Sequence, residues 1–295
     1  MTADVVTPDV VTPPPPRSGR FLRAFSQNRL SWPGVVLLAA IVLVAIFAPL
    51  LAPHDPLEQN IVARLEPPSA EFWLGTDSYG RDVLSRLIYG ARISLTVGFI
   101  SVLIAMVVGT AIGVVTGYVG GLLDQIVMSV LDVLLSFPTL LLGLMIAAML
   151  GASLQNLIIA IAVTEVAPFA RVARAPTITL KQRDFVEACR SYGCGPFRIM
   201  VRHILPNMIS DVVVVSSLWL ASAIRTEASL SFIGLGAPPP AASWGGMIRE
   251  GFENILDAWW LAVFPSLAIL ATVLALNLLG DALRDAADPR SQGSR

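Results

Sequence analysis

The chain has 295 residues, 55% of them hydrophobic and 14% charged, with a net charge of -1 and a mean hydropathy of +0.72. Soluble domains carry roughly 25% charged residues, so this composition belongs in a bilayer. With a single lysine, Lys181, and no basic excess, it offers nothing to displace phosphate counterions and excludes nucleic-acid binding.

Residues 1–16 are acidic and polar, include Pro13-Pro14-Pro15-Pro16, and lack the apolar core of a cleavable signal. They read as a disordered tail, and residues 1–31 are assigned to that tail and a pre-membrane segment. Uncharged runs follow at residues 33–53, 93–123, 133–164, 212–224 and 258–280, against the ~20 residues that cross ~30 Å of hydrocarbon. As one helix the run 133–164 would be ~48 Å long. It is predicted to fold back at Gly151-Ala152-Ser153, ahead of polar Gln155-Asn156. Six spans result, near 33–52, 93–118, 122–150, 155–175, 208–235 and 258–281. Residues 32–92 thus hold the first span and an external loop, 93–284 the membrane core, and 285–295 a second tail.

Within that loop, Val83, Leu84, Leu87 and Ile88 recur at helical spacing among charges. They predict an amphipathic helix over residues 80–92 at the outer surface, either docking a partner or anchoring at the interface. Gly98, Gly109, Gly113 and Gly117 form a small-residue row suited to close helix packing in lipid, inside the subunit or at a partner. Pro138 and Pro168 predict kinks in spans three and four. In the last external loop, Pro238-Pro239-Pro240 and Trp244-Gly245-Gly246 suit protein contact or the bilayer boundary.

Lysine and arginine fix the orientation. Four lie in the first tail, seven from Arg171 to Arg202 and three from Arg284 onward, against four in the first external loop and Arg249 in the last. This 14-to-5 split puts both termini and residues 171–202 in the cytoplasm. Arg225 is left inside span five. It and Glu227 are two apart, so they do not face each other on a helix, and each needs a partner or water. Both are assigned to the translocation cavity or a subunit interface, with a structural interhelical pair as the competing reading. Asp132, eight residues after Asp124, is assigned likewise.

The polar insert between spans four and five carries Phe185, Ala188, Cys189 and Tyr192 at i, i+3, i+4 and i+7, with Arg183, Asp184, Glu187 and Arg190 on other faces. Gly193-Cys194-Gly195-Pro196 then stops one helix and starts another. Phe197, Met200, Val201 and Ile204 repeat the spacing up to Leu205-Pro206. Amphipathicity alone would let both helices lie flat on lipid. Cys189 and Cys194 match neither a zinc pair nor a redox CxxC. There is no GxxxxGK[ST] phosphate loop, HExxH or GxSxG, so no catalytic, cofactor-binding or metal residue is assigned.

The order Glu187-Ala188-Cys189, Gly193, His203, Leu205-Pro206 resembles the EAA loop of bacterial ABC importer permeases. It departs from the general motif by Cys189 in place of Ala and His203 in place of Ile. Three further stretches, Leu74-Gly75-Thr76-Asp77-Ser78-Tyr79-Gly80-Arg81-Asp82-Val83-Leu84-Ser85-Arg86, Gly90-Ala91-Arg92-Ile93-Ser94-Leu95 and Thr226-Glu227-Ala228-Ser229-Leu230-Ser231-Phe232-Ile233-Gly234-Leu235-Gly236, resemble the C-type permease subunit of dipeptide, oligopeptide and nickel importers.

That resemblance implies an all-α polytopic fold of the type I ABC importer permease, with a cytoplasmic coupling helix. It implies half of a translocation path, completed by a homologous B-type permease, two ATP-binding subunits that hold ATP and Mg, and an external substrate-binding protein. It places the protein in the bacterial cytoplasmic membrane. Residues 183–206 would couple to the ATPases through Glu187, Ala188, Cys189, Gly193, Leu205 and Pro206. An ion-coupled secondary transporter is the alternative class, but it predicts inverted repeats, and none is evident.

Overall fold

A computed structural model describes residues 31–287, so residues 1–30 and 288–295, most of the two expected tails, lie outside the described residues. Every described segment of regular structure is helical, apart from one isolated bridge between Thr76 and Asp82. In lipid a chain must satisfy its own backbone, and helices do so within one segment.

The first span is α1, Ser31–Ile46, followed by α2, Ala48–Leu51. Hydrogen bonds from Phe47 N to Leu43 O, Leu51 N to Phe47 O and Ala52 N to Ala48 O carry the helical ladder across the join. The pair therefore reaches ~31 Å, enough for one crossing. A long loop leads to α3, Val83–Val119, whose 37 residues make it ~55 Å long. This corrects the sequence expectation of a separate surface helix over residues 80–92. Residues 83–92 are the outer end of α3, with Val83, Ser85, Arg86, Ile88, Gly90 and Ala91 buried in the subunit. Their apolar face meets Met247, Ala258, Trp260 and Leu261 instead of lipid.

Span three is a bent pair: α4, Gly121–Ser136, and α5, Thr139–Leu150, meet at 95°. Pro138 lacks an N–H and bars its predecessor from helical geometry, so Phe137 is extended and the ladder stops. The expected fold-back is present. Gly151 takes φ 87°, and Ser153 caps α6, Leu154–Leu180, through Asn156 N. Pro168 lies inside α6 without breaking it.

After the insert helix α7, Asp184–Ser191, a second helix starts as α8, Pro196–Ile199, passes through a π-helical turn at Met200–Ile204, and continues as α9, Leu205–Ile233. The run Pro196–Ile233 is thus one span. Helix α10, Trp244–Glu253, caps the outer end, and α11, Trp260–Ala287, returns. Among the described residues, four helices and the bent pair are long and apolar enough to cross a membrane, and α1 is the shorter apolar helix beside them.

The glycine row works inside the subunit. A methyl group at Gly109 would lie 2.5 Å from Val166 O, one at Gly113 2.2 Å from Ala170 O, and one at Gly117 3.0 Å from Arg174 O. Only hydrogen lets α3 and α6 approach so closely. Gly98 meets Ile224 on α9 in the same way. We expect Gly113→Val to lower the melting temperature of the purified protein, through a cost of about 1–3 kcal/mol from overpacking. Gly195→Ala, where added atoms meet open space, should leave it unchanged.

Candidate functional site

The insert is rigid because both of its ends are tied. At the entrance, Val186 N donates to Arg183 O at 2.9 Å and opens α7. At the exit, Gly193 has φ 75°, Gly193 N donates to Arg190 O at 2.9 Å and Cys194 N to Cys189 O at 3.0 Å. That bond pair is a Schellman motif, the stop that a left-handed glycine provides. Pro196 then occupies the first turn of α8.

Three fully buried side chains, Val186, Ile199 and Ile204, seat the insert on the same apolar core as Phe169 and Ala173 of α6. Lys181 Nζ donates to Gly117 O at 2.8 Å and Tyr118 O at 3.4 Å, closing the orphan carbonyls at the C-terminal end of α3. Arg190 stacks over the Tyr118 ring at 5.5 Å. Between them opens a cleft of about 780 Å³ lined by Tyr118, Lys181, Gln182, Glu187, Arg190 and Ser191.

The apolar stripe of α7 is not buried as its periodicity suggested. Of Phe185, Ala188, Cys189 and Tyr192, only Cys189 turns partly inward. Val186 takes the core position, and Tyr192 is 90% and Phe197 76% exposed. Glu187 and Ala188 are exposed beside them. The insert therefore presents aromatic side chains and a carboxylate outward on a base that is already filled. Gly193 closes the helix, Leu205 is partly buried against the core, and Pro206 is exposed in the first turn of α9. The two departures from the EAA pattern touch: Cys189 Sγ lies 3.6 Å from His203 Nε2.

The intramembrane charges separate into distinct environments. Arg225 is exposed, whereas Glu227 is fully enclosed and accepts from Ser231 Oγ at 2.7 Å, with Ser94 of α3 also facing it. Ser94 Oγ in turn accepts from Trp244 N, so this buried carboxylate joins α9 to α3 where α10 docks. Asp132 pairs with Arg171 at 2.5 Å, both more than half exposed, and Asp124 holds Arg174 through two 2.6 Å bonds. Sequence reasoning passed over Glu165 on α6. It is fully buried, and neither carboxylate oxygen has a hydrogen-bond partner among the described residues. The available signal was its position as the first charge after the uncharged run 133–164.

Outside the membrane, the stretch from Leu74 to Arg86 builds a buried ionic cluster. The Asp77 carboxylate accepts from Tyr79 N, Arg81 N and Arg81 Nε at 2.8, 3.0 and 2.6 Å. Arg86 pairs with Asp77 at 3.2 Å, and Arg81 and Arg86 both face Glu250 of α10, at 3.5 and 3.9 Å. Ser78 Oγ also donates to Glu250. Asp82 caps α3 through Ser85 N at 2.8 Å, and Trp260 Nε1 donates to Thr76 O at 3.1 Å. Gly80 has φ 71° and lies so close that a methyl group would fall 1.7 Å from Asn60 O. The long external loop is thereby locked to α10 and α11. Because two arginines share this site, Glu250→Gln should leave an uncompensated cation, cost about 3–5 kcal/mol, and expose residues 53–82 to added protease. Full protection would refute the cluster's role.

Comparison with known proteins adds the following. Residues 109–293 match the family described as binding-protein-dependent transport system inner membrane component, and residues 17–68 match the N-terminal TM domain of oligopeptide transport permease C. The chain is 41% identical to the dipeptide transport system permease protein DppC of Alkalihalophilus pseudofirmus, over 97% of this chain and 96% of that one. It is 42% identical to the di/tripeptide transport system permease protein DppC of Pseudomonas aeruginosa, over 96% and 95%. It is 42% identical to the glutathione transport system permease protein GsiD of Escherichia coli, over 98% and 95%. Among solved structures, the inward-facing MetNI methionine ABC transporter aligns with a TM-score of 0.55 at 19% identity, covering 69% of this chain and 97% of that one.

Proposed function

We propose that this chain, which belongs to the family of binding-protein-dependent transport system inner membrane components, carries short peptides or related small solutes and is driven through residues 183–206. It is a multi-pass ABC transporter permease subunit with an all-α fold. Its relatives are named for dipeptides, di- and tripeptides and glutathione, which supports a short peptide as cargo.

The finer assignments are ours. Two ATP-binding subunits, holding ATP and Mg, drive the cycle, while a second, B-type permease completes the path and an external binding protein delivers the solute. The membrane is the bacterial cytoplasmic membrane, with the insert and both termini in the cytosol. The observation that carries the coupling role is the outward display of Phe185, Ala188, Glu187 and Tyr192 on a helix whose Val186 is buried in the core and whose lead-in is tied to α3 by Lys181. A short rigid helix transmits a rigid-body push, whereas a free loop would absorb it. Cys189, Gly193, Leu205 and Pro206 serve by holding that helix in place. Arg225, Glu227 and Asp132 belong to the path or to the contacts that shape it.

The test is ATP hydrolysis by the assembled transporter. Glu187→Arg should leave the subunit inserted and lower solute-stimulated hydrolysis at least tenfold. Gly193→Val, which forces a branched residue to positive φ at about 1–2 kcal/mol, should do the same. Gly193→Asn, tolerant of that conformation, should retain most activity. Normal stimulation in both Glu187→Arg and Gly193→Val would remove this surface from the mechanism.

A further inference from the structure

The stop that ends α7 sets two cysteines side by side. Gly193 is its left-handed residue, so Cys189 and Cys194 stand at the two positions joined by the bond from Cys194 N to Cys189 O, at 3.0 Å. Side chains at those two positions of a Schellman motif commonly meet. Through that bond and standard backbone lengths, the two Cα atoms are no more than about 6.9 Å apart, and less for any bend at the carbonyl. Disulfides bridge Cα separations of about 4.4–6.8 Å. Both thiols are free, half-buried and packed on the core that holds Val186 and Ile199. The turn at Gly193 brings the chain back to Cys189, which the count of residues between the cysteines does not reveal.

Cys189 has a second neighbour. Its Sγ lies 3.6 Å from Nε2 of His203, on the π-helical turn Met200–Ile204. With the ring proton on Nδ1, Nε2 accepts the thiol hydrogen and leaves a thiolate, the nucleophilic form of the side chain. Cys189 is thereby the sulfur equipped to react first, and Cys194 the one placed to answer it.

We propose that Cys189 and Cys194 are a redox modification site, closed to a disulfide by hydroperoxides and reopened by thiols, and that closing it uncouples the insert. The Cys189 sulfur attacks hydrogen peroxide. An S–O bond forms, the O–O bond breaks, and the departing hydroxide takes the proton held on His203 and leaves as water. Cys194 then attacks the sulfur of the resulting sulfenic acid. An S–S bond forms, the S–O bond breaks, and hydroxide leaves with the Cys194 proton as a second water. Two electrons pass from the sulfurs to the peroxide, and a dithiol returns them by exchange. Closure turns the Cys189 sulfur from His203 toward Cys194, and α7 loses part of its seat on the core. The loss of coupling rests on the reading of residues 183–206 as the coupling insert; the thiol chemistry does not.

The experiment treats the complete transporter with hydrogen peroxide near stoichiometry, maps this chain by peptide mass spectrometry and follows solute-stimulated ATP hydrolysis. Expected are a bridged Cys189 and Cys194 lighter by two hydrogens, a several-fold fall in stimulated hydrolysis, and recovery of both with dithiothreitol. His203→Gln should slow closure about a hundredfold by removing the base. Cys194→Ala should form no bridge, leave Cys189 open to the sulfenic-acid probe dimedone, and keep its stimulated hydrolysis through the same treatment. Two free thiols in treated wild type overturn the proposal, and closure at the wild-type rate in His203→Gln overturns the part given to that residue. An equal loss of hydrolysis in Cys194→Ala also overturns it, by placing the damage elsewhere. So does a bridge that forms while hydrolysis stays normal, and Glu187→Arg then separates the causes. If Glu187→Arg lowers hydrolysis, the coupling reading stands and only the redox control falls; if it does not, both fall.

Discussion

The close approach of α3 and α6 governs the rest of the structure. Lipid supplies no hydrophobic drive to bring helices together, so van der Waals contact must do it, and contact at this range requires hydrogens where side chains would be. Gly109, Gly113 and Gly117 meet the backbone of α6 at one turn after another, from Val166 O to Arg174 O. That row fixes the depth and rotation of α6 against α3. From there, Phe169 and Ala173 define the core on which Val186, Ile199, Ile204 and Met208 close. The insert is thus an extension of the membrane core, and its orientation follows from the register of three glycines in α3.

Polar groups in this protein occupy three levels, each handled differently. Around the start of α3, two buried arginines pair with buried Asp77 and partly exposed Glu250, which locks the loop that precedes α3. Within the last two turns of α9, Glu227 is enclosed and linked to Ser231, beside the Ser94 that accepts from Trp244 N of α10. Nearer the insert, Asp124–Arg174 and Asp132–Arg171 span α4 and α6 at partly exposed positions. Buried ion pairs gain less than their Coulomb energy suggests, because desolvation offsets it. Their value here is geometric: they specify which loop and which helix must meet.

The insert was readable in the sequence because its stop signals are local. Gly193, Pro196, Gly151 and Pro138 act through their own backbone and Ser153 through a hydroxyl that caps the helix it precedes, so their effects appear where the residue types placed them. What was not readable depended on distant partners. Residues 83–92 look like a surface helix because Arg86 is charged. Its partners, Asp77 and Glu250, are nine and 164 positions away, and no periodicity reveals them. The outward turn of Phe185 and Tyr192 was hidden for a related reason. Periodicity finds an apolar stripe, but it cannot say that Val186 will take the core position and leave the stripe for another surface. Glu165 escaped although it falls inside the span expected at residues 155–175, because its burial depends on the helices packed around α6. Cys189 and His203, unremarkable singly, gain meaning only as neighbours.

The latch formed by Lys181 has a mechanical corollary. Its ammonium grips the terminal carbonyls of α3 from the start of the insert, 64 and 63 residues away along the chain. Hydrogen bonds tolerate only a few tenths of an ångström of stretch before they fail. A tug on the insert therefore reaches the 37-residue α3 with almost no slack, bypassing the compliance of the intervening loops. In this architecture any displacement of the insert and that of α3 are tied together by one stiff joint.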